Sequence, residues 1–173
     1  MYASKLKETL PRLRDTIGDV ALAAGREPSE ITLVAVTKGH PLEAVHAALE
    51  AGLTDLGENR ISELEEKVGA VGRDGVRWHM IGHLQRRKAP RALEVADLIH
   101  SVDSLRLAGR IDRVLEEDRP PVPVLFQVNT SGEEAKYGFE ADEAEERILE
   151  ALELPGIDGR GLMTMAPLTD DQV

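Results

Sequence analysis

A lysine at the end of a short apolar run is the residue whose position most suggests chemistry. The run Ile31-Thr-Leu-Val-Ala-Val-Thr-Lys38 is aliphatic and β-branched, with Pro28 before it and Pro41 after it, a pattern that predicts a buried β-strand. Burial favours the neutral amine of a lysine, the form that makes a Schiff base with an aldehyde. Lys38 is therefore either a carbonyl-binding group or a side chain that extends from a strand end into solvent.

Other polar or polarisable residues follow further predicted strands. They are Glu58, Asn59, His83, Ser101, Asn129 and Met163. Asn59 either faces a ligand or caps the next helix, and Met163 either faces a ligand or packs in the core. His79 and His83 are four residues apart, but a strand end and a glycine turn separate them, so a zinc site is not predicted.

Composition narrows the class of protein. The 173 residues are 42% hydrophobic and only 3% aromatic, which predicts one domain over residues 1–173 with an aliphatic core. The formal charge, 21 − 32 = −11, disfavours a nucleic acid or an anionic membrane surface as a partner. With no cysteine, no signal peptide and no membrane-length apolar run, we expect a cytoplasmic protein. We also expect it to be a monomer.

Strand-like and helix-like segments alternate along the chain. An amphipathic helix is predicted at 3–24, with Pro11 marking a kink or a later start. Strands are predicted at 31–37, 53–56, 76–81, 97–100, 124–128 and 159–165. Helices are predicted between them at 41–50, 59–69, 86–95, 101–115 and 141–154, the fourth capped by Ser101 or Asp103. Such alternation predicts parallel strands with right-handed crossovers.

Two architectures fit this alternation, a doubly wound sheet and a (β/α)₈ barrel. The first predicted turn, Thr37-Lys-Gly-His-Pro41, lacks the glycine pattern of nucleotide-binding doubly wound sheets. A barrel gathers its functional residues after several different strands, as here, but has eight strands and about 250 residues. The sequence has six predicted strands, so we expect a barrel domain that lacks its last two strands in the printed sequence.

Six sequence blocks carry a more specific signal. They are Val34-Ala-Val-Thr-Lys38, Gly57-Glu-Asn59, Trp78-His-Met-Ile-Gly-His-Leu-Gln85, Ile99-His-Ser-Val-Asp103, Gln127-Val-Asn129 with Lys136 and Gly138, and Gly161-Leu-Met163. In this order and spacing, the chain resembles the pyridoxal phosphate homeostasis proteins, also called the YggS or PROSC family. The resemblance covers the chain from residue 31 onward.

The resemblance implies a cofactor and a fold. It implies a (β/α)₈ barrel like the N-terminal domain of alanine racemase, with pyridoxal 5'-phosphate (PLP) held as a Schiff base on Lys38. From topology we expect Asn59, His83 and Met163 to line the cofactor ring as further binding residues. The family's later sequence blocks supply most of the phosphate cradle, and they are expected beyond Val173.

Three kinds of function remain open. The resemblance implies a non-catalytic PLP carrier that serves PLP (vitamin B6) homeostasis and supplies PLP to apo PLP-dependent enzymes. A PLP-dependent racemase is the second, but such enzymes need a positioned acid or base on the second face of the ring, and the sequence shows no dedicated group. The third is an interaction protein without a cofactor. No catalytic or metal-binding residue is predicted.

Overall fold

Parallel strands and helices alternate in the computed structural model, which describes residues 1–131 and 137–165. The strands are β1 (Ala35–Val36), β2 (Asp55–Glu58), β3 (Arg77–Met80), β4 (Leu98–Val102), β5 (Val122–Asn129), β6 (Phe139–Glu140) and β7 (Ile157–Met163). The helices are α1 (Tyr2–Ala23), α2 (Leu42–Glu50), α3 (Ile61–Val71), α4 (Ala89–Val95), α5 (Leu105–Val114) and α6 (Ala144–Leu152). Short 3₁₀ turns occupy Pro28–Glu30 and Arg86–Lys88.

The strands form one parallel sheet in chain order. β1 pairs with β2, β2 with β3, β3 with β4, and β4 with β5, and β7 pairs with the other side of β5. The short β6 pairs with the last two residues of β5. Sequential parallel pairing with a helix between consecutive long strands is the order of a (β/α) barrel, so the predicted parallel α/β architecture is confirmed.

The prediction for the first strand was too long. The sequence predicted a strand over 31–37, whereas β1 contains two residues, and Ile31 and Val36 are exposed. In the described residues β1 pairs with β2 alone, so the run has a hydrogen-bonding partner on one side only. Without a second neighbour, its aliphatic residues lose the burial that would extend the strand.

Helix ends also differ from the prediction. α1 continues through Pro11 rather than starting after it. Ser104, not Ser101 or Asp103, caps α5, because its side chain accepts a hydrogen bond from the backbone N–H of Leu107. The segment predicted as one helix over 86–95 is a 3₁₀ turn followed by α4, with a proline in the first helical turn, where proline is tolerated. The other elements are shifted by a few residues from their predicted bounds.

The core lies between the sheet and the helices and is mainly aliphatic, as composition predicted. Leu56, Leu64 and Val124 are fully buried. Trp78 and Phe126 are the largest buried side chains, and the Trp78 indole N–H donates to the carbonyl of Gly72 at 2.9 Å. In residues 1–131 and 137–165, no helix is long and apolar enough to cross a membrane.

Candidate functional site

Lys38 lies just beyond the carboxyl end of β1. The preceding Thr37 is buried, whereas Lys38 itself is exposed and extends from the strand end. The strand has already ended, and Lys38 sits in a turn closed by a hydrogen bond from His40 N to Thr37 O at 3.0 Å. Gly39 follows with a φ of 69°, a conformation that glycine adopts without strain.

Hydrogen bonds hold the backbone on both sides of Lys38. The Lys67 ammonium donates to the carbonyl oxygen of Thr37 at 2.8 Å, and the Thr37 hydroxyl donates to Glu58 Oε1 at 2.5 Å. On the other side, the N–H of Gly39 donates to Glu63 Oε2 at 2.9 Å. We call Thr37, Gly39, Glu58, Glu63 and Lys67 the clamp. It fixes where the Lys38 side chain leaves the backbone.

A buried ion pair forms the centre of the clamp. Lys67 Nζ lies 2.6 Å from Glu58 Oε1, and the two side chains are 6% and 0% exposed. Burying two charges costs several kcal/mol per ion unless hydrogen bonds compensate. The Lys67 ammonium has two partners here, while Glu58 Oε2 is buried without a hydrogen-bond partner in the described residues.

Sequence reasoning missed Lys67 and Glu63. Lys67 is buried on the same side of α3 as Ile61 and Leu64, at helical spacing. A lysine within the apolar face of a helix was the signal that could have identified it. Glu58 had been noted only as a residue that follows a strand.

Glu63 is held in its charged form. The backbone N–H of Gly39 lowers the pKa of the Glu63 carboxyl, and the positive charges of Arg60 and Lys67 lower it further, against a smaller opposing effect of burial. Because a carboxylate accepts a stronger hydrogen bond than a neutral acid, Glu63 is suited to hold the Gly39 N–H near neutral pH.

The turn after β3 contacts both the end of β2 and the strand β4. A Cβ on Gly82 would lie 2.3 Å from the carbonyl oxygen of Asn59, so only glycine permits this approach. The Ser101 hydroxyl donates to the Gly82 carbonyl at 2.6 Å, which explains why Ser101 is not a helix cap. Asn59 itself precedes the N-cap of α3, which is Arg60, so its predicted alternative role as the cap was wrong.

His83 lies at the same edge of the sheet, and its ring contacts Asp103 and Tyr137. Its Nδ1 is 2.9 Å from Asp103 Oδ2, and its ring stacks on Tyr137 with centroids 3.7 Å apart and planes inclined by 13°. The Tyr137 carbonyl accepts from Gln127 Nε2 at 2.8 Å, which ties the loop after β5 to the sheet. One face of the His83 ring is therefore covered by Tyr137.

Met163 ends β7 at the same edge but on another part of the sheet. It pairs with Gln127 of β5 and is half-buried. β1 and β7 lie at opposite ends of the strand order. The structure thus brings Asn59 against the Gly82–His83 turn and places Lys38 one strand away, whereas Met163 shares only the sheet edge with them. Lys136 and residues 166–173 lie outside the described residues, as does any phosphate cradle beyond Val173.

A second set of hydrogen-bonded polar side chains runs across the sheet from β2 to β4. His79 Nε2 lies 2.9 Å from Asp55 Oδ1, and His79 Nδ1 lies 2.8 Å from His100 Nε2. Burial lowers the pKa of His100 to about 4, and the neighbouring His79 adds to this effect. No group of three or more His, Asp or Glu side chains in the described part of the chain could hold a metal ion.

The fold and the lysine at the strand end define a class of protein. Residues 11–173 match the family model of the alanine racemase N-terminal domain, so the chain belongs to that family. A pyridoxal phosphate homeostasis protein of Escherichia coli K12 is 37% identical over 163 residues, which cover 92% of this chain and 70% of that protein. The chain is therefore a member of the pyridoxal phosphate homeostasis protein family.

Two solved structures resemble the chain closely. A protein of unknown function from Bifidobacterium adolescentis has a TM-score of 0.87 at 33% identity, covering 98% of this chain and 73% of that one. PipY of Synechococcus elongatus, in a structure with PLP bound, has a TM-score of 0.74 at 34% identity, covering 88% and 72%. Both agree with the fold that the sequence predicted.

Proposed function

We propose that this protein binds PLP through Lys38 and acts as a non-catalytic carrier in PLP homeostasis. The observation that carries the proposal is the exposed Lys38 amine at the carboxyl end of a parallel sheet, with the clamp fixing the backbone on both sides. Support also comes from the PLP-bound structure of PipY, which is 34% identical to this chain.

The residues at the strand ends fit an aldehyde cofactor. Lys38 would hold the cofactor through its amine, because a neutral primary amine can condense with an aldehyde to a C=N bond with loss of water. PLP supplies the aldehyde and an electron-withdrawing ring. The protein supplies position, because a pre-held amine avoids part of the entropy cost of bringing the two groups together.

Asn59, His83 and Met163 are proposed as further cofactor-binding residues. The backbone of Asn59 approaches Gly82, the residue before His83, so the two candidates lie on the same part of the sheet edge. Asp103 and Tyr137 fix the position of the His83 ring. Met163 would contact the cofactor through its polarisable thioether. It lies on β7, at the opposite end of the strand order from β1.

A carrier fits the site better than an enzyme. The E. coli relative is named a homeostasis protein. The clamp carboxylates accept hydrogen bonds from Thr37, Gly39 and Lys67, which gives them a role in positioning the backbone around Lys38. In the proposal, the protein is a cytoplasmic monomer that holds the reactive aldehyde and passes PLP to apo PLP-dependent enzymes.

Absorption spectroscopy tests this proposal. Purified protein titrated with PLP should develop a visible Schiff-base band, and Lys38→Arg should lack it, because arginine keeps the charge but cannot form the bond. Lys7→Ala is the matched control, since Lys7 is an exposed lysine on α1. An equal band in Lys38→Arg would overturn the assignment of Lys38.

The carrier role needs two separate readouts. The PLP-loaded protein mixed with an apo PLP-dependent enzyme should restore that enzyme's activity. It should also show no exchange of the α-proton of amino acids with deuterated water. Exchange that depends on Lys38 would favour a racemase-type enzyme and overturn the non-catalytic proposal.

A further inference from the structure

A cleft lined by arginines lies between the 3₁₀ turn Arg86–Lys88 and the start of α5. Its volume is about 720 Å³, and its lining includes Arg86, Arg87 and Arg106. A second cleft of about 250 Å³ continues along α5 and shares Arg86 and Arg106 with the first. The chain as a whole carries a formal charge of −11, so the positive charge concentrated here is opposite in sign to the net charge of the protein.

These arginines are not neutralised within residues 1–131 and 137–165. Neither Arg86 nor Arg106 forms an ion pair there, and Arg87 donates to the neutral side chain of Gln85. The carboxylate in the cleft, Asp103, already accepts hydrogen bonds from Ser104 and pairs with His83. Unpaired guanidinium groups on facing elements are suited to fork-like, bidentate binding of an anion.

The N-terminus of α5 opens into the same cleft. α5 has ten residues, and its cap Ser104 takes up the N–H of Leu107. The first N–H groups of a helix lack partners within the helix; of the first two residues of α5, Arg106 lines the main cleft and Leu105 lines the second. The helix dipole adds a partial positive charge at this end, so backbone donors and guanidinium groups converge on one place.

We propose that this cleft binds a phosphate monoester dianion through Arg86, Arg87 and Arg106 rather than through Lys38, although His83 lines both the cleft and the proposed cofactor site. Phosphate matches both donor types, because helix N-termini and arginine forks each bind its oxygens. The main cleft has the volume of a small-molecule site, roughly 300–1,000 Å³, which favours a phosphorylated metabolite over a protein segment. The proposal does not depend on Schiff-base formation and goes beyond the carrier function.

Two probes without an aldehyde test the site separately from Lys38. The Lys38→Ala protein is titrated with inorganic phosphate and with pyridoxamine 5'-phosphate, which cannot form a Schiff base. Binding is followed by the NMR shifts of the Leu105 and Arg106 backbone amides. We expect saturable shifts at these amides, and an affinity about tenfold weaker in Arg106→Gln, from the loss of one charge-assisted contact.

Arg12→Gln is the matched control. Arg12 is exposed on α1, so this change removes the same charge far from the cleft, and the affinity should stay unchanged. An equal loss in both variants would mean that net charge alone drives binding and would overturn the proposal. Shifts that fail to saturate, or saturable binding of an acidic peptide without binding of phosphate, would overturn it as well.

Discussion

The ammonium of Lys67 donates a 2.8 Å hydrogen bond to the carbonyl oxygen of Thr37, the residue that precedes Lys38. This contact joins α3 to the end of β1 and uses one lysine to position another. Lys67 is buried and paired with Glu58, whereas Lys38 is exposed. The two lysines therefore have opposite environments within one small cluster, one suited to structure and the other to chemistry.

Lys67→Met should strongly destabilise the protein. The change leaves Glu58 as an uncompensated buried charge, and breaking one partner of a buried pair costs about 3–5 kcal/mol. Urea unfolding followed by circular dichroism measures the loss. The double variant Lys67→Met/Glu58→Leu removes both charges and should recover part of it; a double variant less stable than Lys67→Met alone would contradict the ion-pair account.

Gly82→Ala should disturb the contact between the loops after β2 and β3. Its Cβ would meet the backbone of Asn59, and overpacking of this kind costs about 1–3 kcal/mol. Gly69→Ala is the matched control, because a Cβ at that position in α3 meets nothing within 4 Å. Alanine there should stabilise the helix by about 0.5–1 kcal/mol. Equal effects of the two changes on thermal unfolding would refute the close approach.

Glu63→Ala should weaken PLP binding more than it weakens the fold. It removes the acceptor of the Gly39 N–H beside Lys38, so we expect a dissociation constant about tenfold higher. Glu63 is only partly buried, so the unfolding free energy should change by no more than about 1 kcal/mol. Glu66→Ala, an exposed position on the same helix, should change neither quantity. If Glu63→Ala bound PLP as the parent does, the clamp would have no part in binding.

His100 should make stability depend on pH. Its folded pKa of about 4 lies below the ordinary value near 6.5, so the unfolded chain binds more protons between these values. The stability that depends on neutral His100 is therefore fully present above about pH 6.5 and is lost as the pH drops toward 4. After a discount for solvent screening, we expect His100 to account for about 1–2 kcal/mol of the fall in the free energy of unfolding over this pH range.

The His100 contribution is separated from other acid effects by comparison. His100→Gln should show a shallower fall in unfolding free energy between pH 6.5 and 4 than the parent protein. His46→Gln changes an exposed histidine on α2 and should leave the slope unchanged. Identical slopes for the parent and His100→Gln would show that burial and the neighbouring His79 do not disfavour the charged His100 imidazole.

The order of elements could be predicted because periodicity and turn residues act locally. The observed α2 (Leu42–Glu50) starts one residue later than the predicted helix over 41–50 and ends where it does, and parallel pairing followed from the alternation of strands and helices. The length of β1 could not be predicted, because it depends on how many neighbours a strand has in the sheet. The cap of α5 differed by one to three residues because several polar residues compete at Ser101–Ser104, and tertiary contacts decide among them.

The candidate site was predictable only in part. Lys38 could be put forward as a candidate from its strand-end position together with the family blocks, and its role stays a prediction. The clamp could not, since Glu58, Glu63 and Lys67 come together only when α3 packs on the end of β1. The contact of Tyr137 with His83 likewise depends on how the loop after β5 returns to the sheet, which no local pattern encodes.

Borohydride reduction of the PLP-loaded protein, followed by peptide mass mapping, tests the central claim most directly. The account predicts that the reduced pyridoxyl group is found on the peptide that contains Lys38. In Lys38→Arg, labelling of that peptide should disappear without transfer to Lys67 or Lys88. A parent protein labelled mainly at another lysine, or not labelled at all, would contradict the claim that Lys38 holds the cofactor.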